Sequence, residues 1–274
     1  MTDSFDLDAY LRRIGHEAPV APDLATLQAL VFRHACAIAF ENLDPVLGRP
    51  PLLDPASLQR KLVAGGRGGY CFEQNLLLRQ ALLAAGFRVI ALTARVLWGQ
   101  PEGHVSPRSH MLLQVLLDDG PRIVDVGFGG QTLTGVLRLE PGLEQPTPHE
   151  PFRLVTVDGD LKLQAKTGEE WRSLYRFDLQ EQWPVDYEAA NWYLATHPAS
   201  HFVTGLIAAR PQPGARHALR NADYAVHRLD GGTERRTLAD ATELKSVLTE
   251  VFGLTLPERL DQALERLLAP PTPR

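Results

Sequence analysis

Cysteine is nearly absent: Cys36 and Cys71 are the only two in 274 residues. Two are too few for a disulfide framework or a thiolate zinc site, so each is read as a single thiol that a reducing cytoplasm keeps reduced. Basic excess is missing too. A net charge of −5 leaves no positive field to hold a polyanion, and nucleic acid drops out of the expected partners. No apolar stretch approaches the roughly 18 residues a membrane helix needs, so no membrane partner is expected. Residues Met1 to Asp8 place three acids ahead of any base and have no apolar core, which predicts no export leader and a cytoplasmic location. Lysine is scarce, with Lys61, Lys162, Lys166 and Lys245 the four among 28 basic residues, and no mechanism follows from that. Internal repeats and low-complexity tracts are absent. What remains is an ordinary globular composition, 44% apolar and 22% charged, in a chain long enough to bury a real core. Small-molecule chemistry is the function class left standing.

Residues 1–86 read as helices, because apolar residues recur at three- and four-residue steps in segments that open with Asp and close at Gly. Asp23 to Ala39 and Asp54 to Ala64 are the clearest. From Phe87 to about Asp178 the rhythm changes to short runs rich in Val, Ile, Leu and Thr: Arg88 to Trp98, His110 to Leu117, Ile123 to Phe128 and Phe152 to Val157. The Asp158-Gly159 pair predicts a hairpin, and the region an antiparallel sheet or small barrel. Pro184 to Thr196 is expected to be helical, followed by a mixed region that helices near Ala241 to Phe252 and Pro257 to Leu268 close. The tail from Pro270 is expected to be loose.

The stretch Arg67-Gly68-Gly69-Tyr70-Cys71-Phe72-Glu73-Gln74-Asn75 carries the chemistry. Cys71 falls at a helix start, where unpaired N–H groups and the helix dipole favour a thiolate, and the two glycines upstream permit close approach. A free thiol with a pKa near 8.5 is a few per cent ionised at neutral pH, so full ionisation is worth roughly 30-fold in nucleophile, or about 2 kcal/mol. A helix end rarely supplies all of that. An imidazole can, provided an anion orients it.

His110 and Asp125 are the candidates, on successive antiparallel strands. A two-residue turn on Asp119-Gly120 sets His110 opposite Gly129 and leaves Asp125 about 13 Å away along the strand. A loop centred on Asp118-Asp119 sets His110 opposite Gly127, with Asp125 diagonal to it on the same face, and that register or an equivalent bulge is expected. The bland alternatives are a buried thiol and a structural histidine. An Asp between Val124 and Val126 is harder to dismiss, since a buried carboxylate needs a partner. Cys36, inside Ala35 to Ala39, is expected to be a packed core thiol. A zinc site from His34, Cys36 and Cys71 matches no usual spacing, and no metal is expected.

At these residues the chain resembles the arylamine N-acetyltransferase family, in which an R-G-G-x-C-x-E segment is followed by a His and then by an Asp in D-V-G-F-G. The resemblance extends to Phe40-Glu41-Asn42-Leu43, to Asn191-Trp192-Tyr193 and to Pro198-Ala199-Ser200-His201-Phe202. It implies an α+β fold: an N-terminal helical bundle (1–86) carrying the nucleophile, a central antiparallel β-barrel (87–196) carrying His and Asp, and a C-terminal α/β lid (197–274), the first two arranged as in cysteine proteases. It further implies that Cys71 takes an acetyl group from acetyl-CoA while His110, held by Asp125, exchanges protons, and that an arylamine or hydrazine acceptor then removes it in ping-pong fashion. By the same resemblance Phe40 and Phe128 line the acceptor pocket, and coenzyme A lies near Ser109, Gly127 and Phe202. Arg235 and Arg236 are further candidates for its phosphates. Two rivals share the motif or the fold: a hydrolase or transglutaminase-like enzyme, including a relative that closes macrocyclic amides, and a non-catalytic binder of drugs or coenzyme A.

Overall fold

The computed structural model describes residues 5–101 and 103–268. The N-terminal third is helical: α1 (Leu7–Arg13), α2 (Leu24–Ala37), α3 (Leu43–Val46), α4 (Pro55–Leu58) and α5 (Cys71–Ala84), with a two-residue strand β1 (Phe40–Glu41) between α2 and α3. The expected start signals operate. The Asp23 carboxylate accepts from the Thr26 N–H at 2.8 Å and Asp54 from Ser57 at 2.9 Å, each satisfying a donor the first helical turn leaves free. The segment expected as one helix to Ala64 widens into a π-helical turn over Gln59–Ala64, and Lys61 on that turn reaches Asp44 and Glu73. Tyr10, Leu27, Leu30, Phe72 and Leu76 pack these helices into a core shared with the strands that follow.

The middle of the chain forms an eight-stranded antiparallel sheet: β2 (Arg88–Val96), β3 (Arg108–Leu117), β4 (Gly120–Val124), β5 (Leu137–Arg138), β6 (Glu144–Gln145), β7 (Phe152–Val157), β8 (Asp160–Thr167) and β9 (Glu170–Phe177). Its order, β5-β4-β3-β2-β9-β8-β7-β6, brings the two short end strands together, where the Gln145 side chain pairs with the backbone N–H and C=O of Arg138. The barrel is thereby nearly closed around Leu92, Leu112, Phe152, Leu163 and Tyr175. Asp158 and Gly159 turn the β7–β8 hairpin with φ of 50° and 83°, as the type I′ geometry requires.

A 3₁₀ turn (Pro184–Tyr187), α6 (Glu188–Thr196) and α7 (His201–Thr204) lead into β10 (Ile207–Gln212), β11 (Ala215–Arg220), β12 (Asp223–Arg228) and β13 (Thr233–Thr237). These strands form a second antiparallel sheet whose first edge is β1, Phe40 pairing with Ala209. Asn42 strengthens this link, donating to the Phe202 and Gly205 carbonyls and accepting from Ile207 N–H at 2.7 Å. Helices α8 (Ala241–Ser246) and α9 (Asp261–Leu268) cover the sheet. The last helix starts four residues later than expected because Arg259 has a left-handed φ of 64°. The tail from Pro270, expected to be loose, lies outside the described residues. Among those described, no helix is long and apolar enough to cross a membrane.

Candidate active site

Cys71 is the first residue of α5. Three consecutive polar residues follow one turn in, all buried, and each reaches in a different direction. Glu73 turns back to accept from the Tyr70 N–H at 3.0 Å. Gln74 donates to the Ala39 and Gly69 carbonyls and meets His34 at 2.8 Å, fixing the glycine approach. Asn75 donates to the Cys71 carbonyl, to the Met111 carbonyl and to Asp125 Oδ1, while its own oxygen accepts from Val126 N–H. The start of the helix is thus tied to the N-terminal core, to β3 and to the loop after β4.

The β3–β4 register pairs Leu117 with Gly120 and Leu113 with Val124, which extrapolates to His110 opposite Gly127 as expected. His110 Nε2 and Asp125 Oδ2 are 2.6 Å apart. One expectation needs correction: β4 ends at Val124, not Phe128. Beyond Val124 side chains take over the backbone donors, since Asp125 Oδ1 accepts from Gly127 N–H at 2.9 Å and Asn75 from Val126, so the ladder stops where the carboxylate needs its partners. Burial opposes a charge on His110, but Asp125 and the adjoining Cys71 together outweigh it, and the imidazole is raised to about 10. For Asp125, burial is overcome by His110, Asn75 and the Gly127 N–H, which hold the carboxyl below its usual range.

With Nε2 on Asp125, Nδ1 is the ring nitrogen left for the thiol. Cys71 keeps 4% exposure, and its sulfur lies 3.7 Å from the Ser109 carbonyl. Gly127 packs directly behind it: a Cβ there would stand 2.8 Å from Cys71 Cα. The Phe128 ring, half-buried, meets His110 edge-on at 5.0 Å between centroids, and Phe40 faces Gly129 and Phe202. Phe202 also packs on Tyr70 at 5.4 Å. Ser109, Gly127, Phe40, Phe128 and Phe202 are therefore all gathered around Cys71 or its helix start. Arg235 and Arg236 are not. They sit on β13, the edge of the second sheet opposite Phe40, about 19 Å away across four strand spacings, and Arg236 is already paired with Glu243. Cys36, expected to be packed in the core, is only half-buried, with its thiol pushed up to about 11 by burial. A surface cavity of about 630 Å³ beside Leu97, Trp98, Lys162 and Arg172 contains none of the clustered residues. Among the described residues no group of three His, Cys, Asp or Glu could hold a metal ion.

Several contributors escaped the sequence reading. Tyr175, its ring 4.9 Å from His110, walls the imidazole from β9. Asn75 and Gln74 were signalled only by three polar residues breaking the front of an otherwise apolar helix. A part-buried charge cluster supports Glu73: Lys61 bridges it to Asp44 at 2.6 Å each, and Arg67 joins Asp44 to Glu41. Burial pushes Glu73 up to about 7, with Glu41 and Asp44 adding to the effect and Lys61 opposing it.

The His110–Asp125 pair carries a stability signature. Because His110 is raised above its ordinary 6.5, its contribution is complete below that pH and is lost as pH rises through about 10. The Asp125 contribution is present above about 3.8 and is lost as pH falls. The unfolding free energy in urea is therefore expected to decline between pH 7 and 10 more steeply in the parent protein than in Asp125→Asn. Equal slopes would contradict the pairing.

On this fold, which brings Cys71, His110 and Asp125 together, the family model described as N-acetyltransferase matches residues 23–260. The chain belongs to the arylamine N-acetyltransferase family. It is 46% identical to the arylamine N-acetyltransferase of Mycobacterium tuberculosis over 97% of both chains. The solved structure of the M. tuberculosis enzyme superposes with a TM-score of 0.91, covering 94% of this chain and 99% of that one. The Mycobacterium marinum arylamine N-acetyltransferase in complex with CoA is 41% identical, with a TM-score of 0.91 over 96% of this chain and 99% of that one.

Proposed function

We propose that this protein moves an acetyl group from acetyl-CoA to an arylamine or hydrazine in two half-reactions, through a thioester on Cys71. The observation that supports it most is the 2.6 Å contact of His110 Nε2 with Asp125, which leaves Nδ1 to serve the thiol. In the first half-reaction His110 stands as the imidazolium that Asp125 favours, holding on Nδ1 the proton of Cys71, and the sulfur attacks the thioester carbonyl as thiolate. The bond from that carbonyl to the coenzyme sulfur breaks, and the departing thiolate takes the proton from His110. In the second, the acceptor nitrogen attacks the acetyl carbon, gives its proton to His110, and Cys71 leaves as thiolate.

Cys71 keeps little exposure, so its approach suits the end of a thin chain such as the arm of coenzyme A. Phe40 and Phe128 offer flat apolar faces on which an aromatic amine can stack with its nitrogen free. Ser109, Gly127 and Phe202 are the proposed neighbours of coenzyme A, and the reaction is placed in the cytoplasm. In this reading 1–86 supplies the nucleophile, 87–196 the imidazole and carboxylate, and 197–274 the lid. Incubation with acetyl-CoA followed by intact mass is expected to show an adduct of about 42 Da on Cys71 that an arylamine clears. An active, folded preparation that never acquires the adduct would refute the proposal.

A further inference from the structure

The loop that follows Asp125 carries Phe128 and then a 3₁₀ turn over Gly129–Gln131. Its far side is held by the second sheet, not by the barrel from which it emerges. Arg216 on β11, 4% exposed, grips Glu150 with two bonds of 2.7 and 3.0 Å and directs its remaining nitrogen to the Gly130 carbonyl at 3.4 Å. The adjacent His149 bonds the Thr134 hydroxyl at 2.9 Å through Nδ1 and the Gln212 and Ala215 carbonyls through Nε2. Burial and the nearby Arg216 push the His149 imidazole down, so it stays neutral, with Nδ1 accepting from Thr134 and Nε2–H donating to the carbonyls. The middle of the loop at Gly130 and its later part at Thr134 are thus stitched to the β10–β11 hairpin, Thr134 through His149. Strand β1, which bears Phe40, pairs with the same β10.

These contacts divide the site. Cys71, His110 and Asp125 are held by α5, by β3 and by Asn75. Phe40, through β1, and the backbone turn that follows Phe128 are held by the second sheet, while the Phe128 ring also packs on His110 and Tyr175. Arg216 and Glu150 touch no atom of the reacting trio, yet they set where the Phe128 turn lies. The geometry points to Arg216 and Glu150, with His149 beside them, as positioning residues for the acceptor: they govern the half-reaction in which the amine removes the acetyl group and leave loading of Cys71 untouched. This inference rests on the proposed two-step transfer. It assigns specificity for ring-bearing acceptors to a clasp remote from the sulfur.

The test separates the two half-reactions. Release of coenzyme A in a single turnover reports loading. Decay of the acetylated protein against increasing acceptor reports unloading, with an arylamine and with hydrazine itself, which has no ring to stack. For Arg216→Met and for the milder Glu150→Gln, loading is expected to stay within about twofold, while the half-saturating arylamine concentration rises about tenfold and that for hydrazine does not change. The double variant is expected to cost no more than either single one, because both break the same contact. Arg216→Lys, which keeps the charge without the fork, is expected to recover part of the loss. The clasp is refuted if loading and unloading slow together, if hydrazine suffers as much as the arylamine, or if neither variant changes unloading. A parent protein that never loads defeats the transfer reading itself, and the clasp with it. One that loads while the variants show any of those patterns defeats the clasp alone.

Discussion

Asp125→Asn is expected to slow acetylation of Cys71 by about a thousandfold to ten-thousandfold while the protein folds normally. The bonding around the carboxylate dictates this. Oδ1 accepts from Asn75 Nδ2 and from the Gly127 N–H, and Oδ2 meets His110 Nε2. An asparagine at 125 must keep its oxygen toward the two donors, since turning the amide would set N–H against N–H in a buried site. The NH₂ group then faces His110 and donates to Nε2, which forces the imidazole proton onto Nδ1. That is the nitrogen the thiol needs as its acceptor. The substitution therefore does more than weaken an orienting bond: it locks His110 in the tautomer that cannot take a proton from Cys71. Asp125→Ala frees the ring to adopt either tautomer and is expected to be no more damaging than Asp125→Asn. Single-turnover release of coenzyme A measures both, and nitrogen chemical shifts of His110 report the tautomer directly. An Asn variant that loads within tenfold of the parent would show that Asp125 does not govern the imidazole.

Cys71 at a helix start could be read from two glycines followed by an apolar run, and the β3–β4 register from the requirement that His110 and Asp125 share a face. Both inferences are local or follow from one pairing. The end of β4 was not legible, because strand propensity continues through Val126 while the donors there are claimed by side chains distant in sequence. The π-helical turns at Gln59–Ala64 and Val247–Val251 leave no mark on a pattern of three- and four-residue steps. Nothing local announces that Phe40–Glu41 edges a sheet whose other strands begin at Ile207. The cluster of Glu41, Asp44, Lys61, Arg67 and Glu73 is likewise assembled from scattered positions, each reading as an ordinary charged residue until the fold brings them together.

Gly127 gives the second large effect, through shape rather than charge. A Cβ on Gly127 would lie 2.7 Å from Asn75 Nδ2, 2.8 Å from Cys71 Cα and 3.0 Å from the Cys71 carbonyl oxygen. Two of those atoms belong to the helix backbone, so no side-chain rotation relieves the contact. Either α5 or the Asp125 loop must move, and both routes disturb the same assembly: shifting α5 carries the sulfur away from His110, and shifting the loop breaks the Gly127 N–H bond to Asp125. Gly127→Ala is expected to lose about 1–3 kcal/mol of stability from overpacking. Its acetylation rate is expected to fall by about a hundredfold, the scale of a displacement near 1 Å at the reacting atoms. Gly130, three residues on, provides the comparison. A Cβ there meets nothing within 4 Å, so Gly130→Ala is expected to match the parent in stability and in loading rate. Unfolding in urea and single-turnover loading of the two variants, measured side by side, decide the matter. If Gly127→Ala loaded at the parental rate, the close packing behind Cys71 would have no part in placing the sulfur; if Gly130→Ala proved equally harmful, the whole loop, not this one contact, would be the sensitive element.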